Sequence, residues 1–198
     1  MRRVCVVALL FAVGCGGGPR QDAGEPSGDF KVEVVNASFP RVQHIAQTVV
    51  MRVRVRNADS RELPVAVTIE TASPNAAVGA SSFGQGSLDP ALSDSSRPVW
   101  VLENGPHGGD TAVTNTWFAG RLRPGQSRLM TWRLVAARAG RYTVNYRVSP
   151  GLTGKGRPAS VANSGGRFRV VIADEPVPAR IGPGGSVIRG GSDKPPGN

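Results

Sequence analysis

The stretch Val49-Val50-Met51-Arg52-Val53-Arg54-Val55-Arg56-Asn57 sets apolar residues against arginines at every second position. A period of two places Val49, Met51, Val53 and Val55 on one face and Arg52, Arg54 and Arg56 on the other, as a strand with one buried and one wet side requires. A helix would keep Arg52 and Arg56 on one face and turn Arg54 to the other. The turn-forming residues Asn57-Ala58-Asp59-Ser60 follow, and then Leu63, Val65, Val67 and Ile69 alternate with Pro64, Ala66, Thr68 and Glu70. Upstream, Phe30, Val32 and Val34 alternate with Lys31 and Glu33. The second half repeats the pattern. Phe118, Gly120 and Leu122 lead into the turn Arg123-Pro124-Gly125-Gln126. Met130, Trp132 and Leu134 then form one face, followed by Tyr142, Val144, Tyr146 and Val148, and by Phe168, Val170 and Ile172. A shorter strand is expected over Val99 to Leu102. No window carries a helical apolar stripe of ten residues, so the expectation is an all-β antiparallel sandwich of seven to nine strands.

The roughly 144 residues from Phe30 to Ala173 suffice for one core and not comfortably for two. Within them, Val53-Arg54-Val55-Arg56-Asn57 followed by Leu63-Pro64-Val65-Ala66-Val67 resembles the strand-turn-strand of bacterial immunoglobulin-like domains of the cell-adhesion-related (CARDB-like) type. Leu122-Arg123-Pro124-Gly125-Gln126 and Gly140-Arg141-Tyr142-Thr143-Val144 are similar to the Leu-x-Pro-Gly turn and Gly-x-Tyr strand start of such domains. The resemblance implies an immunoglobulin-like β-sandwich with an adhesive, spacer or accessory role, and it designates no catalytic residue. This chain is longer than such domains. The surplus falls in Ala72–Pro98, Glu103–Thr114 and Pro150–Gly165, which read as long polar loops rich in Gly and Ser.

The chain opens with Arg2 and Arg3, an apolar run from Val4 to Val13, and Gly14 before Cys15. A run of about ten apolar residues can engage an export channel but is half of what a membrane span needs. Ala12-Val13-Gly14-Cys15 resembles a lipobox, which implies a signal peptide over 1–14, cleavage before Cys15 and lipid on its thiol. The only other cysteine is Cys5, within the segment to be removed, so the mature chain has no partner for a disulfide. Residues 15–29 read as a flexible lipid-anchored linker and residues 174–198, rich in Pro and Gly, as a disordered tail. The expected location is therefore the outer face of the cell membrane or cell envelope.

Candidate chemistry is sparse. His107 and Asp110, with Glu103 and Asn104 just before, offer oxygen and nitrogen ligands, yet their spacing fits no defined metal loop. His44 is the only other histidine, and Met51 and Met130 fall on apolar strand faces. There is no Gly-x-Ser-x-Gly elbow, no Ser-x-x-Lys and no cysteine nucleophile after processing. Asp89, Asp94, Glu103 and Asp110 lie in loops where a fixed two-carboxylate geometry is not expected. No catalytic residue, metal ligand or cofactor is assigned. Trp100, Trp117, Phe118, Trp132, Tyr142 and Tyr146 offer a sugar-stacking platform or, at period two, a core; Trp132 and Tyr142 read as buried.

Charge is distributed unevenly in a chain of net charge +10. From Thr111 to Ala173 there is no Asp or Glu, against Arg121, Arg123, Arg128, Arg133, Arg138, Arg141, Arg147, Lys155, Arg157, Arg167 and Arg169. Solvated strand faces account for arginines of this kind. An anionic partner does so too, whether lipid headgroups, an acidic envelope polymer or an acidic protein, with Arg141, Arg147, Arg167 and Arg169 as its candidate surface. Export argues against nucleic acid. The leading functional expectation is a non-catalytic, membrane-anchored surface lipoprotein that binds a protein or an anionic envelope polymer. The alternative is a hydrolase or metal-dependent enzyme acting on envelope material through the long loops.

Overall fold

The computed structural model describes residues 22, 24–72, 82–85 and 98–189. Cys15, the segment before it, Asp89, Asp94 and the last nine residues lie outside them.

Among the described residues there are fifteen strand segments: β1 (Gly28–Phe30), β2 (Val32–Ser38), β3 (Val42–Ile45), β4 (Thr48–Asn57), β5 (Leu63–Ala72), β6 (Gly84–Gln85), β7 (Trp100–His107), β8 (Asp110–Val113), β9 (Thr116–Leu122), β10 (Ser127–Ala136), β11 (Gly140–Ser149), β12 (Gly156–Pro158), β13 (Gly165–Pro176), β14 (Ala179–Ile181) and β15 (Val187–Arg189). Eight of them, β2, β4, β5, β7, β9, β10, β11 and β13, are seven residues or longer. Two sheets carry the fold, one ordered β2-β4-β10-β7-β6 and the other β3-β13-β11-β5-β9-β8. The chain crosses between them at Phe39–Arg41, so that its first long extended stretch pairs with β4 in one sheet and then with β13 in the other.

The alternation in β4 holds: Val49, Met51, Val53 and Val55 are buried and Arg52, Arg54 and Arg56 exposed. Met130, Trp132 and Leu134 of the neighbouring β10 extend the same inward face, opposite Val53, Met51 and Val49 in register, and Tyr142, Val144, Val148, Val170 and Ile172 of the other sheet pack into the same core. Trp117 and Trp132 meet edge to face with ring centroids 5.5 Å apart. A polar tie joins the sheets: the indole of Trp100 (β7) donates to the buried Gln43 (β3) at 2.7 Å, and Gln43 donates to the Pro40 carbonyl at 2.9 Å. At the start of β11 the Tyr142 hydroxyl donates back to the Ala139 carbonyl at 2.8 Å, the bond of a tyrosine corner in immunoglobulin-like sandwiches. Gly140, at φ +144°, makes room for that ring, since a Cβ there would lie 2.8 Å from the hydroxyl.

Three expectations are corrected. Glu103–Thr114 is not a loop: β7 extends to His107 and β8 starts at Asp110, the connection passing from one sheet to the other. Gly108 and Gly109 are required there for close approach, because a Cβ on Gly108 would lie 2.2 Å from the Leu129 carbonyl and one on Gly109 2.6 Å from that of Phe118. In β9 a register shift opposite Val65 and Ala66, with Gly120 at φ +91°, buries Trp117, Ala119 and Leu122 in place of Phe118 and Gly120.

The third concerns both ends of the domain. In the linker, β1 pairs in parallel with β12, and the Glu25 carboxylate accepts the N–H groups of Leu152 at 2.5 Å and Thr153 at 2.9 Å. In the tail, β13 runs to Pro176 and β14 pairs with β15.

Candidate functional site

The register of β11 with β13 sets Arg141 opposite Val171, Thr143 opposite Arg169, Asn145 opposite Arg167 and Arg147 opposite Gly165. Opposed residues in a sheet project to the same side. All four candidate arginines therefore stand on one exposed face of the six-stranded sheet, with Arg141 diagonal to Arg169 and Arg147 diagonal to Arg167. The inward side of the same strands holds Tyr142, Val144, Val148, Val170 and Ile172, so the core fixes which way the arginines point.

Their electrostatic environments differ. Arg147 pairs with Glu70 of the neighbouring β5 at 3.5 Å, both side chains being more than half exposed. Arg141, Arg167 and Arg169 form no ion pair among the described residues. The next acids along β13, Asp174 and Glu175, follow Arg169 by five and six residues, at the far end of the strand. Elsewhere the absence of acids between Thr111 and Ala173 is offset by pairing across strands. Arg133 of β10 meets Glu103 of β7 at 2.6 Å in the five-stranded sheet, and Arg157 meets Asp29 across the β1–β12 pair at 3.1 Å. Strand pairing thus brings acids from neighbouring strands to Arg133, Arg147 and Arg157, and leaves the Arg141–Arg167–Arg169 group without one among the described residues.

A shallow recess of about 320 Å³ opens beside this group, lined by Arg41, Arg167, Phe168 and Arg169. Arg41 is the member that sequence reasoning missed. It belongs to no alternating run, and only the crossing of the chain between sheets brings it to β13, where its carbonyl accepts the Val171 N–H at 2.8 Å.

Asp89 and Asp94 lie outside the described residues, and Glu103 and His44 have partners of their own. Glu103 is engaged with Arg133 and with the Thr48 hydroxyl at 3.3 Å. His44 contacts the Glu175 carbonyl through Nδ1 at 3.0 Å. Among the described residues no three His, Cys, Asp or Glu side chains cluster as metal ligands. Trp100, Trp117 and Trp132 are buried, Tyr142 nearly so, and Phe118 and Tyr146 are half-buried, which makes the aromatic set core and not a stacking platform. No helix of the described residues is long and apolar enough to cross a membrane.

An immunoglobulin-like β-sandwich with an arginine-bearing outer sheet face is the class that the fold and site define. No known family's sequence model matches the chain, and no curated protein does. Among solved structures it is similar to a CARDB domain from Pyrococcus furiosus determined in complex with two metal ions, at 14% identity and a TM-score of 0.43 over 73% of this chain and 88% of that one. It is also similar to a PapD-like domain of human CEP192, at 13% identity and a TM-score of 0.39 over 89% of this chain and 100% of that one. A further similarity is to E. coli alpha-2-macroglobulin, at 13% identity and a TM-score of 0.42, over 75% of this chain and 7% of that one. The assignment of the fold rests on the sheet orders and the Tyr142 corner.

Proposed function

We propose that this chain is an exported lipoprotein, acylated on Cys15, whose sandwich is a non-catalytic binding or adhesion module for an acidic partner, a protein or an anionic cell-envelope polymer. The observation that supports the binding role is the grouping of Arg141, Arg167 and Arg169 on one exposed sheet face with no acidic neighbour in contact among the described residues. Like charges held this close repel, and an anionic partner relieves that repulsion. The support for export is the signal-like segment before Cys15, and the support for acylation is that Cys15 would otherwise be a lone thiol in an oxidising compartment.

Two variants test the two halves of the proposal. Cys15→Ser releases the protein from the membrane fraction; a variant that stays with membranes at unprocessed mass contradicts the anchor. Replacing Arg141, Arg167 and Arg169 together with Gln lowers affinity for an acidic envelope polymer at least tenfold, whereas Arg133→Gln and Arg157→Gln, whose charges are already paired, change it less than twofold. Equal losses in both sets contradict the site.

A further inference from the structure

The parallel pairing of β3 with β13 begins only at Val171, opposite Val42. Before that point the chain is crossing between sheets, with Phe39 buried against the rings of Trp100 and Phe168 at 5.4 and 5.8 Å. The crossing leaves Gly165–Val170 of β13 paired on one side, to β11. The Val171 N–H points away from β11, to the Arg41 carbonyl. Main-chain groups alternate sides along a strand, so Arg169 and Arg167 also turn their N–H and C=O groups to the open side, while Val170 and Phe168 turn theirs toward β11. Among the described residues nothing bonds to those outward groups. The recess lined by Arg41, Arg167, Phe168 and Arg169 lies along the same edge.

We infer that this edge docks an extended acidic segment of another polypeptide, which adds as a strand beside Arg167–Arg169. The inference rests on the anionic-partner reading and narrows it from any polyanion to a peptide chain. An added strand receives main-chain hydrogen bonds from Arg167 and Arg169, and carboxylates at every second position of it lie across from the two guanidinium groups. A second copy of β13 would set arginine against arginine, which opposes self-pairing.

The test uses the full chain and a ten-residue peptide alternating Glu with Val, followed by fluorescence anisotropy and by amide hydrogen exchange. N-methylation of the peptide amides that face the edge keeps the charge and removes the main-chain bonds; it is expected to weaken binding at least tenfold, whereas methylation of the other alternate set is expected to change it less than threefold. Arg167 and Arg169 amides exchange fast in the free protein and become protected in the complex. Arg167→Gln with Arg169→Gln weakens binding of both the peptide and a polyglutamate of random conformation. Equal effects of the two methylation patterns overturn strand addition and leave the basic-face function standing. Failure to bind any polyanion overturns both. Protection of the two amides in the free protein, or a dimer that protects them, shows the edge filled by this chain itself and overturns the inference.

Discussion

The buried carboxamide of Asn57, at the end of β4, donates to the carbonyl of Leu122, at the end of β9, at 2.7 Å. The same amide donates to the Arg61 carbonyl at 2.7 Å, and its oxygen accepts the Asp59 N–H at 2.9 Å. The Asn57 backbone meets the following turn as well, its N–H donating to the Gln126 carbonyl at 3.0 Å and its carbonyl accepting the Gly125 N–H at 2.8 Å. One side chain therefore fastens the β4–β5 turn to the Leu122–Gln126 turn. Asn57→Ala strands the Leu122 carbonyl in a buried place and leaves the half-buried partners at Arg61 and Asp59 to water, and should destabilise the domain by about 1–3 kcal/mol, read from urea unfolding. A loss under about 1 kcal/mol would mean that water replaces all three bonds.

Trp132 is fully buried between the sheets, and Arg54 stands on the solvent side of β4. Trp132→Ala should cost about 3–5 kcal/mol and Arg54→Ala under about 0.5 kcal/mol. The Trp132 indole N–H has no hydrogen-bond partner among the described residues, so Trp132→Phe, which keeps most of the ring, should cost less than half of the Ala variant. Chemical denaturation of the three variants orders them.

Asp59 holds the β4–β5 turn by accepting the Lys31 N–H at 3.1 Å and that of Arg61 at 3.3 Å. The Lys31 bond foremost, with the Arg61 and Ser60 amides and the Arg61 charge, holds its carboxyl below the ordinary carboxylate value against the opposing effect of burial. A depressed folded value makes the contribution of Asp59 fully present above the unfolded value of about 3.9 and lost as pH falls through the lower folded one. Asp59→Asn should therefore lower stability at pH 7 and lessen the fall in stability below pH 4, measured by unfolding at a series of pH values. Parallel pH curves for the two proteins would contradict this.

The strands were legible wherever burial is one-sided and unbroken. Val49–Arg56, Met130–Leu134 and Tyr142–Val148 each present apolar residues at every second position, and each buries that face. Glu103–Asp110 was not legible, because its extended path is imposed by the Leu129 and Phe118 carbonyls against Gly108 and Gly109, a contact between distant parts of the chain. The bulge at Gly120 inverted the facing of Trp117 and Phe118 for the same reason. Of the site, the common direction of Arg167 and Arg169 follows from their spacing. Their alignment with Arg141, the pairing of Arg147 with Glu70, and the arrival of Arg41 depend on register and on the sheet crossing, which local periodicity does not encode.

The central claim, an electrostatic surface on the six-stranded sheet, is tested most directly by the salt dependence of binding. The protein without its lipid is titrated with anionic and with neutral vesicles, and with acidic wall polymer, between about 50 and 200 mM salt, where screening of exposed charges changes most. Binding to the anionic partners should weaken at least tenfold over that range, neutral vesicles should not bind, and Arg167→Glu with Arg169→Glu should abolish the interaction at low salt. Binding that ignores both salt and charge reversal, or that is absent at 50 mM salt, would contradict the account and leave these arginines as solvated strand faces.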